Sequence, residues 1–375
     1  MKETSLYIHI PFCKQKCLYC DFPSYAGKEK FMEEYIEALN KEILNKADQY
    51  IINSIFIGGG TPSYLKDSSL RSLLITLNKL NLKENLDFTM ECNPGTLSRE
   101  KLEIMKKYNI NRISIGLQST KNSILKEIGR IHSYEEFKNN YFLAREIGFN
   151  NINVDFMFGL PKQKLKDWKE SLEEIVKLEP EHISAYSLII EEGTLFHKLY
   201  EKDKLELPEE NQEREMYLCT KQILNEYGYH QYEISNFSKQ GKECFHNKVY
   251  WECKEYLGLG VSASSFIDNN RIKNIDDIQA YIMKINNNES VVEEIHANDI
   301  EDDMEEFMFM GLRMTEGINI NEFKNRFNKD IYEVYKDAIE KNIKKELLIC
   351  NSERLFLSEK GIEISNYVMS DFILS

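Results

Sequence analysis

The sequence predicts an α/β fold, a partial (β/α)6 barrel over residues 1–229 with a small α+β unit at 298–375. Three observations predict it. Six apolar runs of strand length alternate with helical patterns through the first half of the 375-residue chain. The glycines, cysteines and acids that could carry chemistry fall at or just beyond the ends of those runs. After about Tyr229 the alternation stops. Parallel neighbours need crossover connections, so repeated strand–helix units imply a parallel sheet. Six units fall short of the eight of a closed barrel, so an open, partial barrel or a doubly wound sheet fits, and either puts its active rim at the C-terminal ends of the strands.

The elements follow in order. Residues 6–10 form a short apolar strand. Phe31, Tyr35, Leu39 and Ile43 then recur every four residues, one face of a helix. Residues 54–57 are a second strand, ending in Gly58-Gly59-Gly60, and Leu70, Leu73, Leu74 and Leu77 mark its helix. Strands at 88–92, 112–116 and 151–158 are followed by helices at 100–108, 134–147 and 166–178. A sixth strand, 182–190, precedes a long helix at 210–226. Residues 230–297 are rich in glycine, asparagine and aromatics and are expected to be a connecting segment. The last unit holds helices at 300–313, 320–327 and 331–343, two short strands at 348–351 and 355–357, and a final helix. Helices followed by a small hairpin suggest a winged-helix-like domain.

Composition narrows the function classes. Hydrophobic residues are 42% and charged residues 29%, an ordinary globular balance. Lys plus Arg is 48 against 62 Asp plus Glu, a net charge of −14, which argues against nucleic-acid binding. No apolar run is long enough for a membrane span. The first residues lack the layout of a signal peptide, so a cytoplasmic location is expected.

The chain has eight cysteines, and three of them fall within eight residues as Cys13-x-x-x-Cys17-x-x-Cys20. Thiolates suit zinc or iron–sulfur clusters. Structural zinc commonly takes a second cysteine or histidine pair, and no second Cys-x-x-Cys is present. Three cysteines on one loop would hold three irons of a four-iron cluster and leave the fourth iron open. Spacing alone leaves both the cluster and a zinc-stabilised binding module standing. The other five cysteines are scattered, as small buried hydrophobes usually are.

This trio, with Gly58-Gly59-Gly60-Thr61-Pro62 after the second strand, resembles the radical S-adenosylmethionine (SAM) superfamily. The run Tyr7-Ile8-His9-Ile10-Pro11-Phe12-Cys13 narrows the resemblance to the coproporphyrinogen oxidase-like subgroup. Within it, Cys20-Asp21-Phe22 lacks the further cysteine of the oxygen-independent coproporphyrinogen III oxidase, and twelve residues precede Cys13 where that enzyme has a longer extension. With His246-Asn247-x-x-Tyr250-Trp251, the pattern is similar to the HemW haem-chaperone family. The oxidase activity is the alternative.

The resemblance implies a 4Fe-4S cluster on Cys13, Cys17 and Cys20, and SAM at its open iron. It implies that electron transfer into the sulfonium yields methionine and a 5′-deoxyadenosyl radical. It places Tyr7, Gly59, Gly60, Thr61 and Glu91 around SAM. In the oxidase, positions matching Tyr19, Gln118, Arg130 and Asp155 serve a second SAM. Glu91 and Asp155, each next to a strand end, have capping or ion pairing as the alternative reading, weightier for Asp155 than for Glu91. Haem is the implied cargo, passed to an acceptor protein of unknown identity, and peripheral membrane contact is compatible with this reading. His246 is the candidate haem ligand, since Phe245, Tyr250, Trp251 and Tyr256 surround it in sequence and haem takes an axial ligand within an apolar wall. The same aromatics could be plain core packing.

Overall fold

The computed structural model describes residues 1–374. Its centre is a twelve-stranded sheet. In chain order the strands are β1 (Lys2–Ile10), β2 (Tyr50–Gly59), β3 (Asn81–Cys92), β4 (Arg112–Gln118), β5 (Ile152–Phe158), β6 (His182–Ser187), β7 (His230–Glu233), β8 (Asn236–Ser238), β9 (Tyr256–Leu259), β10 (Ser264–Ile267), β11 (Asn270–Asn274) and β12 (Val292–Ala297). They lie in the order β12-β11-β10-β9-β1-β2-β3-β4-β5-β6-β8-β7.

Strands β1 to β6 are parallel neighbours in sequence order. Helices such as Met32–Ala47, Asp67–Leu77, Tyr134–Ile147 and Leu165–Val176 join them. The boundaries sit where local chemistry puts them. Ser133 and Glu136 form a capping box at the start of Tyr134–Ile147, and Gly148 ends that helix in the left-handed region, φ 97°.

The segment 230–297 does more than connect. It adds β8 antiparallel to β6 and β7 antiparallel to β8 at one edge, and β9 parallel to β1 at the other. The parallel run therefore has seven strands, one more than the sequence pattern shows. Strand β9 was hard to see because it is Tyr-Leu-Gly-Leu. A Cβ on Gly258 would lie 2.0 Å from the Ser264 carbonyl oxygen, so the close approach of β10 requires glycine there.

Side chains alternate across the sheet. Ile55, Ile57, Phe88, Met90, Ile113 and Ile115 face the helices and are fully buried in one large core. The other face curls around a lumen, and its residues are mostly polar. Register stacks them in layers: Ser5 beside Ser54 and Asp87, Tyr7 beside Phe56 and Thr89, then Glu91 beside Ser114 and Gly116 beside Asp155. Tyr7, Phe56, Glu91 and Asp155 keep partial exposure although they lie within strands, so the lumen is open rather than filled.

The C-terminal unit has its own core, with Met304, Phe307, Phe323, Ile339 and Leu355 at its centre. Helices Ile300–Gly311, Ile320–Phe327 and Ile331–Lys344 pack with a three-stranded sheet of Ile318–Asn319, Arg354–Leu357 and Leu348–Cys350. It joins the barrel at the β7–β8 turn, where Ile234 N–H donates to the Arg313 carbonyl at 3.1 Å and Thr315 N–H to that of Tyr232 at 3.0 Å. Among the described residues no helix is long and apolar enough to cross a membrane.

Candidate functional site

The cysteine loop leaves the C-terminal end of β1 and is fastened on several sides. Leu18 N–H donates to the Ile128 carbonyl at 3.2 Å, and Phe196 N–H donates to the Leu18 carbonyl at 3.0 Å. A Cβ on Gly129, whose φ is +77°, would lie 2.8 Å from Leu18 Cγ. Cys13 is buried, while Cys17 and Cys20 are half-buried, and all three are free thiols. Burial raises Cys13 above its ordinary value and, with the neighbouring Cys17, raises Cys20 to about 11. Unligated, these two are thiols at neutral pH, and ligand binding must expel their protons.

Among the described residues no three His, Cys, Asp or Glu side chains converge to hold one metal ion. A cluster spreads its cysteines over separate irons, whereas tetrahedral zinc draws four ligands to one centre.

The glycine turn packs directly on the cysteine loop. Gly60 N–H donates to the Ile10 carbonyl at 2.8 Å and Thr61 N–H to that of Phe12 at 2.9 Å. Thr61 Oγ1 donates to the Cys13 sulfur at 3.5 Å. A Cβ on Gly60 would lie 2.9 Å from the Phe12 oxygen and 3.0 Å from Cys13 Sγ, so glycine is needed there for the loop itself, before any ligand is considered. Gly59 has φ +110°, and a Cβ there would meet His9 Cε1 at 2.5 Å.

His9 ties these parts together. Its ring lies 2.9 Å from the Tyr7 hydroxyl at Nδ1 and 2.8 Å from the Pro23 carbonyl at Nε2. A carbonyl only accepts, so Nε2 carries the proton and Tyr7 donates to Nδ1. Burial holds this imidazole down at about 4, hence neutral.

Glu91 and Arg130 complete the rim. Glu91 Oε2 accepts from Gly59 N–H at 3.1 Å. Burial and the nearby Asp155 raise its carboxyl to about 8. Arg130 Nη1 donates to the Cys17 sulfur at 3.4 Å, and Nη2 to Asn93 Oδ1 at 3.0 Å and to the Gly116 carbonyl. Asn93 in turn donates to Thr61 Oγ1 at 2.9 Å. A small pocket between Lys14, Cys17, Thr61, Asn93 and Arg130 sits in this corner. Tyr19 packs against Phe196, ring centroids 6.3 Å apart, and Gln118 ends β4 with φ 71°. Asp155 accepts from Ser114 Oγ at 2.9 Å and Asn153 Nδ2 at 2.7 Å.

The structure thus gathers Tyr7, Gly59, Gly60, Thr61, Glu91 and Arg130 around the cysteine loop, with Asp155 beside Gly116 and near enough to Glu91 to help raise its carboxyl. Asn93 and His9 escaped the sequence reading as site residues. Asn93 follows the last residue of β3 at the same rim as the glycine turn, which was the available signal.

His246 lies apart from this rim. It is on the helix Phe245–Trp251, 1% exposed, with its ring stacked on Phe56 at 5.3 Å. It therefore packs on the barrel lumen, closer to the six-strand core than its place in the sequence suggests. Tyr7, Phe56, His246, Tyr250 and Tyr256 form one unbroken series of ring contacts, from 6.5 Å for Tyr7–Phe56 to 4.6 Å for Tyr250–Tyr256. Burial and the charge of Arg112 push the imidazole down to about 3.

Comparison with known proteins adds the following. The profile of the radical SAM superfamily matches residues 7–175, and that of the HemN C-terminal domain matches residues 299–364. The chain is 39% identical to the heme chaperone HemW of Bacillus subtilis (strain 168), over 98% of this chain and 99% of that protein. It is 35% identical to heme chaperone HemW of Lactococcus lactis subsp. lactis (strain IL1403), over 100% of this chain and 98% of that protein. In fold it is similar to the radical SAM enzyme coproporphyrinogen III oxidase (HemN) from Escherichia coli. That match has a TM-score of 0.87 at 21% identity and covers 99% of this chain and 90% of that one.

Proposed function

The chain belongs to the HemW heme-chaperone family, within the radical SAM superfamily, and from that premise we propose that it binds haem as cargo in the barrel lumen and delivers it to an acceptor protein. A 4Fe-4S cluster on Cys13, Cys17 and Cys20 and SAM at its open iron belong to the same reading; bound together they supply one-electron chemistry.

The residues fit those groups. The glycine turn allows the close approach of the Phe12 carbonyl and the Cys13 sulfur to Gly60. Thr61 and Arg130 direct hydrogens at two of the three sulfurs, which favours the thiolate form a cluster needs. The half-buried Tyr7 and Glu91 line the lumen mouth beside the turn. With its carboxyl raised to about 8, Glu91 is protonated in most molecules at neutral pH and can both donate and accept.

The observation that carries the haem reading is the protonation of His246. Ser5 Oγ donates to Asn53 Oδ1 at 2.7 Å, and Ser54 Oγ donates to Ser5 Oγ at 2.8 Å. Ser54 has thereby used its hydrogen, so it accepts from His246 Nδ1–H at 2.8 Å. The lone pair is left on Nε2, where the Tyr250 hydroxyl donates at 2.9 Å. A neutral imidazole oriented through its other nitrogen is the form in which histidine ligates iron. The ring contacts from Tyr7 to Tyr256 supply the aromatic wall a planar porphyrin needs. Axial ligation requires the Tyr250 hydroxyl to swing off Nε2.

The test is a haem titration of reconstituted protein. His246→Ala should weaken binding or change the Soret band while leaving iron–sulfur content unchanged, because no cysteine of the trio touches His246. A variant whose titration overlays the parent's would remove His246 from the reading. An anaerobic assay with coproporphyrinogen III, SAM and a reductant should give no protoporphyrinogen; product there would favour the oxidase activity instead.

A further inference from the structure

The lumen floor holds an arginine without a partner. Arg112 is the first residue of β4, 2% exposed, and sits on the lumen face in register with Thr89. Among the described residues its guanidinium makes no hydrogen bond and no ion pair, and its Nε is buried and unpartnered. Burial opposes its charge; Cys244, Asp87, Tyr232 and Asp155 support it through space. Those groups are engaged elsewhere. Asp87 accepts from Phe245 N–H at 3.2 Å, and Asp155 accepts from Ser114 and Asn153. The Tyr232 hydroxyl bonds His182 Nε2 at 2.9 Å. Cys244 is raised to about 11 by burial even against the arginine's pull, so it is an uncharged thiol at neutral pH.

A fully buried guanidinium normally has a bidentate acid or several carbonyls against it. Here five N–H groups converge on none, beside a lumen that Phe56, Glu91 and Asp155 show to be open. The same charge reaches His246 and His182, so Arg112 and the candidate haem ligand share one floor.

We propose that Arg112 is an anchor for the carboxylate of a ligand bound in the lumen. That carboxylate has two sources with one chemistry: a propionate of a tetrapyrrole, or the amino-acid end of SAM. The haem source rests on the function proposed above; the site itself rests on Arg112 alone.

The experiment uses reconstituted protein in three arms. In the first, denaturant unfolding without added haem or SAM compares the parent with Arg112→Met. A buried charge without a hydrogen-bond partner costs desolvation that through-space attraction offsets only in part, so the variant should be as stable as the parent or more so. A markedly less stable Arg112→Met would show that the arginine is a structural member and overturn the proposal. In the second, haem is compared with haem dimethyl ester, and in the third SAM with decarboxylated SAM. The parent should prefer the free carboxylate by on the order of tenfold in one arm. Arg112→Met should erase that preference and Arg112→Lys should keep part of it. The arm in which this happens names the source. Equal preference in parent and Arg112→Met, or none in the parent in either arm, overturns the anchor. If the parent binds neither haem nor its ester, the haem reading fails by itself, and the stability and SAM arms still decide Arg112.

Discussion

Arg130 holds its guanidinium 3.4 Å from the sulfur of Cys17 while its other end grips the Gly116 carbonyl and, at 3.0 Å, Asn93. One side chain thus ties the cysteine loop to two strand ends. It also places a positive charge and a hydrogen-bond donor on a candidate cluster ligand. Hydrogen bonds to cluster sulfurs and nearby charge set reduction potential. Arg130→Met should therefore make the cluster potential more negative and speed iron loss to a chelator. A redox titration followed by electron paramagnetic resonance reads the first, and the absorbance decay the second. An unchanged potential would mean that the contact is mechanical only.

Replacing Cys13, Cys17 and Cys20 together by Ala should abolish iron uptake on anaerobic reconstitution. Replacing Cys92, Cys219, Cys244, Cys253 and Cys350 should leave it intact, since none of them lies on the loop. Iron and sulfide analysis of the two sets settles the assignment.

Gly60→Ala should cost about 1–3 kcal/mol of stability, the usual range for overpacking. The added methyl would sit 2.9 Å from a backbone oxygen and 3.0 Å from a cysteine sulfur, neither of which is a flexible end. SAM affinity should fall as well, because the displaced loop carries Cys13. Denaturant unfolding and equilibrium SAM binding check the two halves; parental values in both would reduce the turn to a spacer.

Tyr250→Phe removes the hydroxyl that covers His246 Nε2. If that nitrogen ligates haem iron, the variant should bind haem at least as tightly as the parent, with the same Soret maximum. Lost binding would instead assign the iron to the Tyr250 oxygen.

Acid should unfold this protein through its buried histidines. Burial pushes His9 to about 4 and His132 and His246 to about 3, and carries His182 down too. In the unfolded chain each titrates near 6.5. Below that pH the unfolded state takes up protons that the folded state refuses. Stability is therefore full above about pH 6.5 and falls as pH drops from 6.5 towards 3–4. Each such histidine contributes a slope of about 1.4 kcal/mol per pH unit. His246→Phe should shallow the fall in urea midpoint between pH 7 and pH 5. A parallel curve would show that other groups set the acid limit.

Much of this was legible in the sequence because the signals are local. Hydrophobic periodicity located the six strand–helix units, and alternation along each strand has a single physical cause, the burial of Ile55, Ile57 and Phe88 beneath helices. Cysteine spacing located the candidate cluster loop, since three thiols within eight residues of one turn have few other uses. Strand β9 escaped because its four residues carry a glycine and no period, and its place beside β1 depends on a partner some 250 residues away.

What tertiary structure alone decided concerns side chains that meet across strands. The sequence named His246, but only the chain through Ser54 and Ser5 to Asn53 assigns its proton to Nδ1 and its lone pair to Nε2. The sequence suggested Gly60 for a ligand's sake, and packing shows that the Phe12 carbonyl and the Cys13 sulfur already require it. Arg112 drew no notice in the sequence, where an arginine opening a strand looks like a surface charge. Its isolation exists only once β3, β4, β5 and the helix Phe245–Trp251 close around it. Local pattern reports which face of an element is buried, because that depends on its own residues. The partners a buried polar group finds, or lacks, are set by elements far apart in the chain, and no spacing records them.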